Sequence, residues 1–129
     1  MRALLDTHAF LWFILDDPQL TPVAKALIED PATEVLVSPA SYWEVAIKVQ
    51  LGKYALPIPF RQFMDTHIAA NAFVVLPVEV RHVEPLTTLP LHHRDPFDRM
   101  LAAHSLTAGL PLCTKDTTLL ENLDRAFWD

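Results

Sequence analysis

Residues 34–52, "EVLVSPASYWEVAIKVQLG", contain the signals of one strand and of the helix that follows it. The first part, "EVLVS", is rich in β-branched residues and is bounded by turn formers, which predicts a strand. Ser38 followed by Pro39 is typical of a helix start, because serine caps the first turn and proline suits its first position. Gly52 is typical of a helix end. The stretch therefore predicts a strand that leads directly into a helix.

Units of the same kind occur on both sides of this stretch. Further strands are predicted over residues 2–6, 72–76 and 110–114, with a short edge strand at 125–128. Helices are predicted over residues 8–15 with Thr7 as the cap, 22–30, 40–51, 59–70, 78–86, 96–108 and 115–123. Pro85 weakens the helix in which it lies. The alternation of strands and helices predicts an α/β fold with a mostly parallel sheet of four to five strands.

The composition indicates a compact globular protein. Its 129 residues are 51% hydrophobic and 20% charged, which fits one domain over residues 1–129. Only two glycines are present, so a glycine-rich phosphate loop is excluded. The single cysteine, Cys113, excludes an internal disulfide and a cysteine zinc site, and a reducing cytoplasm is the simplest compartment. The apolar N-terminal stretch is too short and too polar to span a membrane.

The net charge of −6 argues against a generally basic surface for nucleic acid. The same charge agrees with a cluster of carboxylates at one place. Asp6 ends the first predicted strand, Glu44 lies on the helix after the second, and Asp116 follows the fourth. Asp95 and Asp98 begin the helix that leads into the fourth strand. Because ligands of such sheets bind at the carboxyl ends of the strands, we expect all five acids at one edge.

Each acid also has a purely structural interpretation. Glu44 completes a capping box with Ser41 and stands four residues before Lys48, which is the spacing of a helix ion pair. The acids placed to cap a helix are Asp6, Asp95 and Asp116. For any one acid taken by itself, the structural interpretation stays open.

The acids taken together favour a metal site. Two carboxylates about 4 Å apart repel each other by roughly 1 kcal/mol in water and about 4 kcal/mol at an effective dielectric of about 20. Oxygen ligands suit Mg²⁺ or Mn²⁺, and either ion would offset this repulsion. A metal held in this way lowers the pKa of a water and stabilises the charge on a phosphate. The acidic edge thus indicates metal-assisted phosphodiester hydrolysis.

Four stretches of the chain resemble a known family. They are "LLDTHAFLW" (4–12), "VSPASYWEVAIKVQLGK" (37–53), "HHRDPFDRMLAAHS" (92–105) and "LCTKDTTL" (112–119). In order and spacing they resemble the PIN-domain ribonucleases, most closely the VapC toxins of VapBC toxin–antitoxin pairs. The resemblance implies an α/β/α sandwich that cleaves RNA with Mg²⁺ or Mn²⁺. It also implies a cytoplasmic homodimer and a VapB-like antitoxin as its partner.

The resemblance also assigns the site residues. The four family acids correspond to Asp6, Glu44, Asp98 and Asp116. Of these, Asp6 and Asp98 are expected to bind the metal, directly or through water. Glu44 and Asp116 are expected to complete the pocket, where they hold metal-bound waters or a second ion.

Three neighbouring residues are expected to support these acids, and two arginines are candidates for contact with RNA. Asp95 belongs to the "RDPFDR" form of the motif and is interpreted as a helix cap near the metal. Thr7 and Thr114 are placed to orient the carboxylates or to contact phosphate, and a role in capping alone is equally open. Arg94 and Arg99 are candidate contacts to RNA phosphates.

Two other functions compete with the nuclease. One is a catalytically silent PIN-like domain that binds RNA or protein, although all four acid positions are filled. The other is an aspartyl-phosphate phosphotransfer domain, because Asp6, Thr114 and Lys115 superficially suit that chemistry. The phosphatase pattern needs a second aspartate where His8 stands, and a receiver domain needs an aspartate at the end of its third strand.

Overall fold

The computed structural model describes residues 1–88 and 95–115, together with the strand at residues 126–127. The strands are β1 (Arg2–Leu5), β2 (Glu34–Val37), β3 (Val74–Val75), β4 (Leu112–Cys113) and β5 (Ala126–Phe127). They form one sheet in the order β3-β2-β1-β4-β5, and every pair of neighbours is parallel. The prediction of an α/β fold with a mostly parallel sheet is therefore confirmed.

The strand order also bears on the phosphotransfer alternative. Receiver domains have the order 2-1-3-4-5, in which the first strand lies between the second and the third. Here β1 lies between β2 and β4, and β3 is an edge strand. The connectivity is not that of a receiver domain.

The helices lie close to their predicted positions. They are α1 (Thr7–Ile14), α2 (Pro22–Glu29), α3 (Pro39–Gln50), α4 (Phe60–Ala70), α5 (Val80–Val83) and α6 (Pro96–Ala108). The helix predicted over residues 78–86 is instead α5 followed by a 3₁₀ turn at Glu84–Thr87, because Pro85 cannot donate a backbone hydrogen bond. The helix predicted over residues 115–123 lies outside the described residues. Within the described part of the chain, no helix is long and apolar enough to cross a membrane.

The N-caps of two helices differ from caps that were predicted from the sequence. Of the two caps that the sequence offered for α1, Asp6 is confirmed and Thr7 is wrong, because the chain is still extended at Asp6 and its Oδ1 accepts from Ala9 N at 2.6 Å. The capping box of Ser41 and Glu44 is also wrong. The cap of α3 is Ser38, so Ser41 lies inside the helix and cannot serve as the N-cap that such a box requires.

The sheet lies between two helical layers. Side chains alternate along β1, so Leu4 and Leu5 belong to different apolar clusters. Leu5 packs with residues of α1, α2, α3 and α4, while Leu4 packs with Leu101 of α6. This is the expected α/β/α sandwich, and both α1 and α6 begin at the edge where the sheet strands end.

A buried histidine links α6 to α3. His104 Nδ1 lies 3.0 Å from Ser38 Oγ, and its Nε2 lies 3.3 Å from the carbonyl oxygen of Pro77. Since the carbonyl can only accept, Nε2 carries the proton and Nδ1 accepts from Ser38. Burial lowers the pKa of His104 to about 4, and the neighbouring His82, whose ring centroid is 4.6 Å away, contributes to the shift. His104 is therefore neutral in the folded protein.

The neutral histidine predicts a pH-dependent loss of stability. In the unfolded chain the pKa of His104 returns to 6.5. Between pH 6.5 and about 4 the unfolded chain therefore binds a proton that the folded protein does not bind. The free energy of unfolding should fall over this range by at most about 3 kcal/mol from this group. His104→Gln, which keeps a donor and an acceptor, should lose that contribution. Urea denaturation at several pH values measures the difference, and parallel pH profiles for the two proteins would contradict the prediction.

Candidate active site

Asp6 is held rigidly at the end of β1. It is 4% exposed, and its Oδ2 accepts from Thr114 Oγ1 at 2.6 Å, while its Oδ1 accepts from Ala9 N. The parallel pairing of β1 with β4 brings Thr114 to this position, because the Asp6 amide donates to the carbonyl of Cys113 at 3.1 Å. Both carboxylate oxygens therefore have fixed directions.

The environment of Asp6 disfavours its negative charge. Burial raises the pKa of Asp6 above its usual value, and the charge of Glu44 raises it further. The hydrogen bonds from Thr114 and Ala9 and the nearby His8 oppose this shift only in part. A cation beside Asp6 would restore the charged form, because opposite charges at close range lower the pKa of a carboxyl group.

Glu44 supplies a second buried carboxylate. It is 3% exposed, and its Oε2 lies 3.8 Å from Lys48 Nζ, which agrees with the predicted helix spacing. Its Oε1 is buried and has no hydrogen-bond partner among the described residues. Thr7 Oγ1 donates to Ser41 Oγ at 3.1 Å, which joins the start of α1 to the helix that carries Glu44. An unpaired buried oxygen is costly, and it is the atom that a ligand at this place would use.

The start of α6 supplies Asp95 and Asp98. Asp95 caps the helix as predicted, because its Oδ1 accepts from Phe97 N at 2.8 Å and from Asp98 N at 3.2 Å. Asp98 lies in the first helical turn and is half-buried. The cap therefore fixes the backbone at the residue expected to bind metal.

One tyrosine, which the sequence did not single out, lies within electrostatic range of all four described acids. The pKa of Tyr54 is raised by burial and then by the charges of Glu44, Asp6, Asp98 and Asp95, in that order. Tyr54 therefore lies close enough to these four carboxylates for each of their charges to act on its hydroxyl. Tyr54 lies in the loop after α3, where neither periodicity nor a motif distinguishes it from other loop residues.

The remaining predicted residues lie in different surroundings. Arg99 Nη2 donates to the carbonyl of Leu86 at 3.3 Å, so this arginine contacts the 3₁₀ turn. Cys113 is fully buried, and burial raises the pKa of its thiol to about 12. Asp116 and Arg94 lie outside the described residues.

The donor chemistry of the pocket fits a hard divalent cation. Asp6 and Glu44 offer carboxylate oxygens only, and Glu44 Oε1 is unpaired. In the described ranges no three His, Cys, Asp or Glu side chains are grouped closely enough to hold an ion by themselves. Mg²⁺ typically takes one or two protein carboxylates and completes its coordination with water. A pair of carboxylates is therefore a sufficient protein contribution.

Asp6→Asn should stabilise the protein when metal is absent. Asparagine can still accept from Ala9 N, and its amide can donate to Thr114, while the buried charge beside Glu44 is removed. We expect a gain on the order of 1 kcal/mol in the free energy of unfolding, measured by urea denaturation in EDTA near pH 7.

Asp95→Ala is the matched comparison, because it removes a helix cap outside the buried pair and should cost about 1 kcal/mol. If Asp6→Asn proved as destabilising as Asp95→Ala, the charge of Asp6 would stabilise the fold, and the conclusion that its surroundings disfavour this charge would be wrong.

Comparison with known proteins agrees with this architecture. The PIN domain family matches the chain over residues 3–125. Three solved structures are similar over nearly their whole length. VapBC-1 from nontypeable Haemophilus influenzae has 18% identity, covers 98% of this chain and 97% of its own, and gives a TM-score of 0.65. VapBC2 from Rickettsia felis, bound to a DNA fragment from its promoter, has 14% identity, full coverage of both chains and a TM-score of 0.63.

The third structure, FitAcB from Neisseria gonorrhoeae, has 21% identity, covers 100% of this chain and 97% of its own, and gives a TM-score of 0.62. Comparison with curated proteins gave no significant match. At these identities the solved structures show a shared fold, and the family match spans almost the whole sequence. The chain belongs to the PIN domain family.

Proposed function

We propose that this protein is a ribonuclease that depends on Mg²⁺ or Mn²⁺ and that it is the toxin of a VapBC-type pair. The observation that carries the proposal is the buried, unpaired Oε1 of Glu44 beside the buried Asp6, whose pKa is raised. Two buried carboxylates with these properties are not expected where residues serve only the stability of the fold. Membership of the PIN domain family agrees with nuclease chemistry.

In this proposal Asp6 and Asp98 hold the ion, directly or through water, and Asp116 completes the acidic pocket. The ion, when bound, supplies an activated water and neutralises charge on the phosphate. Thr114 and Ala9 N keep both oxygens of Asp6 in place before the ion arrives, so little rearrangement is needed. Glu44 Oε1 accepts a hydrogen bond from the attacking water and orients it.

The partner and the setting of the protein belong to the same proposal. We take residues 1–129 as one domain that works as a cytoplasmic homodimer and binds a VapB-like antitoxin. The fold shared with VapBC-1, VapBC2 and FitAcB supports the choice of partner.

The purified protein should cleave a structured RNA with Mg²⁺ or Mn²⁺ and should not cleave it in EDTA. Asp98→Asn should lower the rate by about 100-fold or more, because it weakens the hold on the ion. The measurement is the initial rate of product formation on a denaturing gel.

Asp65→Asn is the matched control. It makes the same change at an exposed carboxylate of α4 that pairs with Arg61, and it should leave the rate unchanged. Equal cleavage by the parent and by Asp98→Asn would mean that a contaminating nuclease is present or that Asp98 does not act in the reaction.

A further inference from the structure

Five side chains form a continuous strip on the surface beside the acidic pocket, here called the aromatic strip. In order they are Lys48, Tyr54, His8, Trp12 and Lys115. Lys48 Nζ lies 5.8 Å from the centre of the Tyr54 ring, and Tyr54 Oη lies 3.5 Å from His8 Nε2. The rings of His8 and Trp12 stack with centroids 5.2 Å apart, and Lys115 Nζ lies 5.7 Å from the centre of the Trp12 ring.

Both ends of the aromatic strip reach the acids. At one end, Lys48 Nζ lies 3.8 Å from Glu44 Oε2. At the other end, Lys115 directly follows Thr114, whose hydroxyl donates to Asp6 at 2.6 Å. The strip thus begins at one buried carboxylate and returns to the other. Whatever contacts these rings lies next to the pocket in which we propose that the phosphodiester is cut.

The chemistry of the aromatic strip differs from that of the chain as a whole. The protein has a net charge of −6 and only ten lysines and arginines, yet the strip contains two lysines and no carboxylate. Proteins that bind single-stranded nucleic acid combine cations for the phosphates with flat rings on which unpaired bases stack. The strip has both components in one place.

Within the strip, His8 is the ring that a base can reach. His8 is exposed, whereas Trp12 is partly buried and packs against the apolar core. Trp12 therefore gives the imidazole a rigid support, and the contact from Tyr54 restrains its edge. A base placed on the outer face of His8 would continue a stack that already exists.

We propose that His8 is a stacking platform for one unpaired base of the RNA, with Trp12 as its support and with Lys48 and Lys115 as phosphate contacts on either side. This inference rests on the proposed function, because it places the base next to the scissile phosphate. It predicts a preference for single-stranded RNA, since a paired base cannot present its face to a side chain.

The test measures binding without cleavage. Asp98→Asn serves as the parent protein, in EDTA, and the probes are fluorescein-labelled uridine and adenosine oligomers of about 12 nucleotides and a duplex of about the same length. The parent should bind the single strands more tightly than the duplex. Adding His8→Leu, which covers Trp12 without offering a flat face, should weaken single-strand binding by about five- to a hundredfold. Adding His8→Phe, which keeps a ring, should restore it to within about twofold of the parent.

Two control variants separate stacking from charge and from general surface effects. Trp43→Leu removes an exposed tryptophan that packs against Phe97 outside the strip, and it should not change binding. Lys115→Gln should reduce the slope of log affinity against log salt by about 0.7, while His8→Leu should leave that slope unchanged. Lys25→Gln, at an exposed lysine of α2, should leave both affinity and slope unchanged.

The inference is overturned if His8→Leu binds like the parent, if His8→Phe is as weak as His8→Leu, or if the duplex binds as tightly as the single strands. It is also overturned if no probe binds. The cleavage assay on the unmodified protein decides the proposed function separately. Metal-dependent cleavage that is indifferent to His8→Leu would reject only the stacking platform. Ring-dependent binding by a protein that cuts no RNA would reject the nuclease and leave the platform in place.

Discussion

The hydrogen bond from Thr114 to Asp6 joins residues 108 apart in the chain, and the proposed active site depends on it. It forms only because β4 lies beside β1 and runs parallel to it, so that both strands end at the same edge. The bond fixes one oxygen of a buried carboxylate whose charge the surroundings disfavour. The fold therefore holds Asp6 where its charge is disfavoured, and carboxyl groups with a pKa shifted in this way are common at functional sites.

A second connection positions the other two helices that carry acids. His104 of α6 and Ser38 at the start of α3 are linked by a buried hydrogen bond of 3.0 Å. Asp98 lies on α6 and Glu44 lies on α3. The hydrogen bond between His104 and Ser38 therefore fixes the distance between the backbones of these two acids, although it lies outside the site. Asp95 then sets the first turn of α6, and Thr7 joins α1 to Ser41 of α3. These contacts thus hold α1, α3 and α6 in position around the acids.

The sequence predicted the parts of this arrangement that depend on local signals. Ser38-Pro39 and Asp95-Pro96 mark helix starts that the structure confirms, and the strand-ending position of Asp6 indicated the edge at which it lies. Two predicted helix caps were wrong. Asp6 rather than Thr7 caps α1, and Ser41 does not cap α3. Tyr54 and its contact with His8, 46 residues away, could not be predicted, because only the folded chain brings them together.

The central claim is that Asp6 and Glu44 form part of one site for a divalent cation, and direct binding of Mn²⁺ tests it best. Electron paramagnetic resonance detects free hexaaqua Mn²⁺. Its signal should therefore decrease as unmodified protein is added, until the Mn²⁺ is bound. Asp6→Asn and Glu44→Gln, each shown to be folded, should leave most of the signal unchanged. If both variants removed Mn²⁺ from solution as well as the unmodified protein does, the two buried carboxylates would hold the ion neither directly nor through its waters, and the account of the site would be wrong.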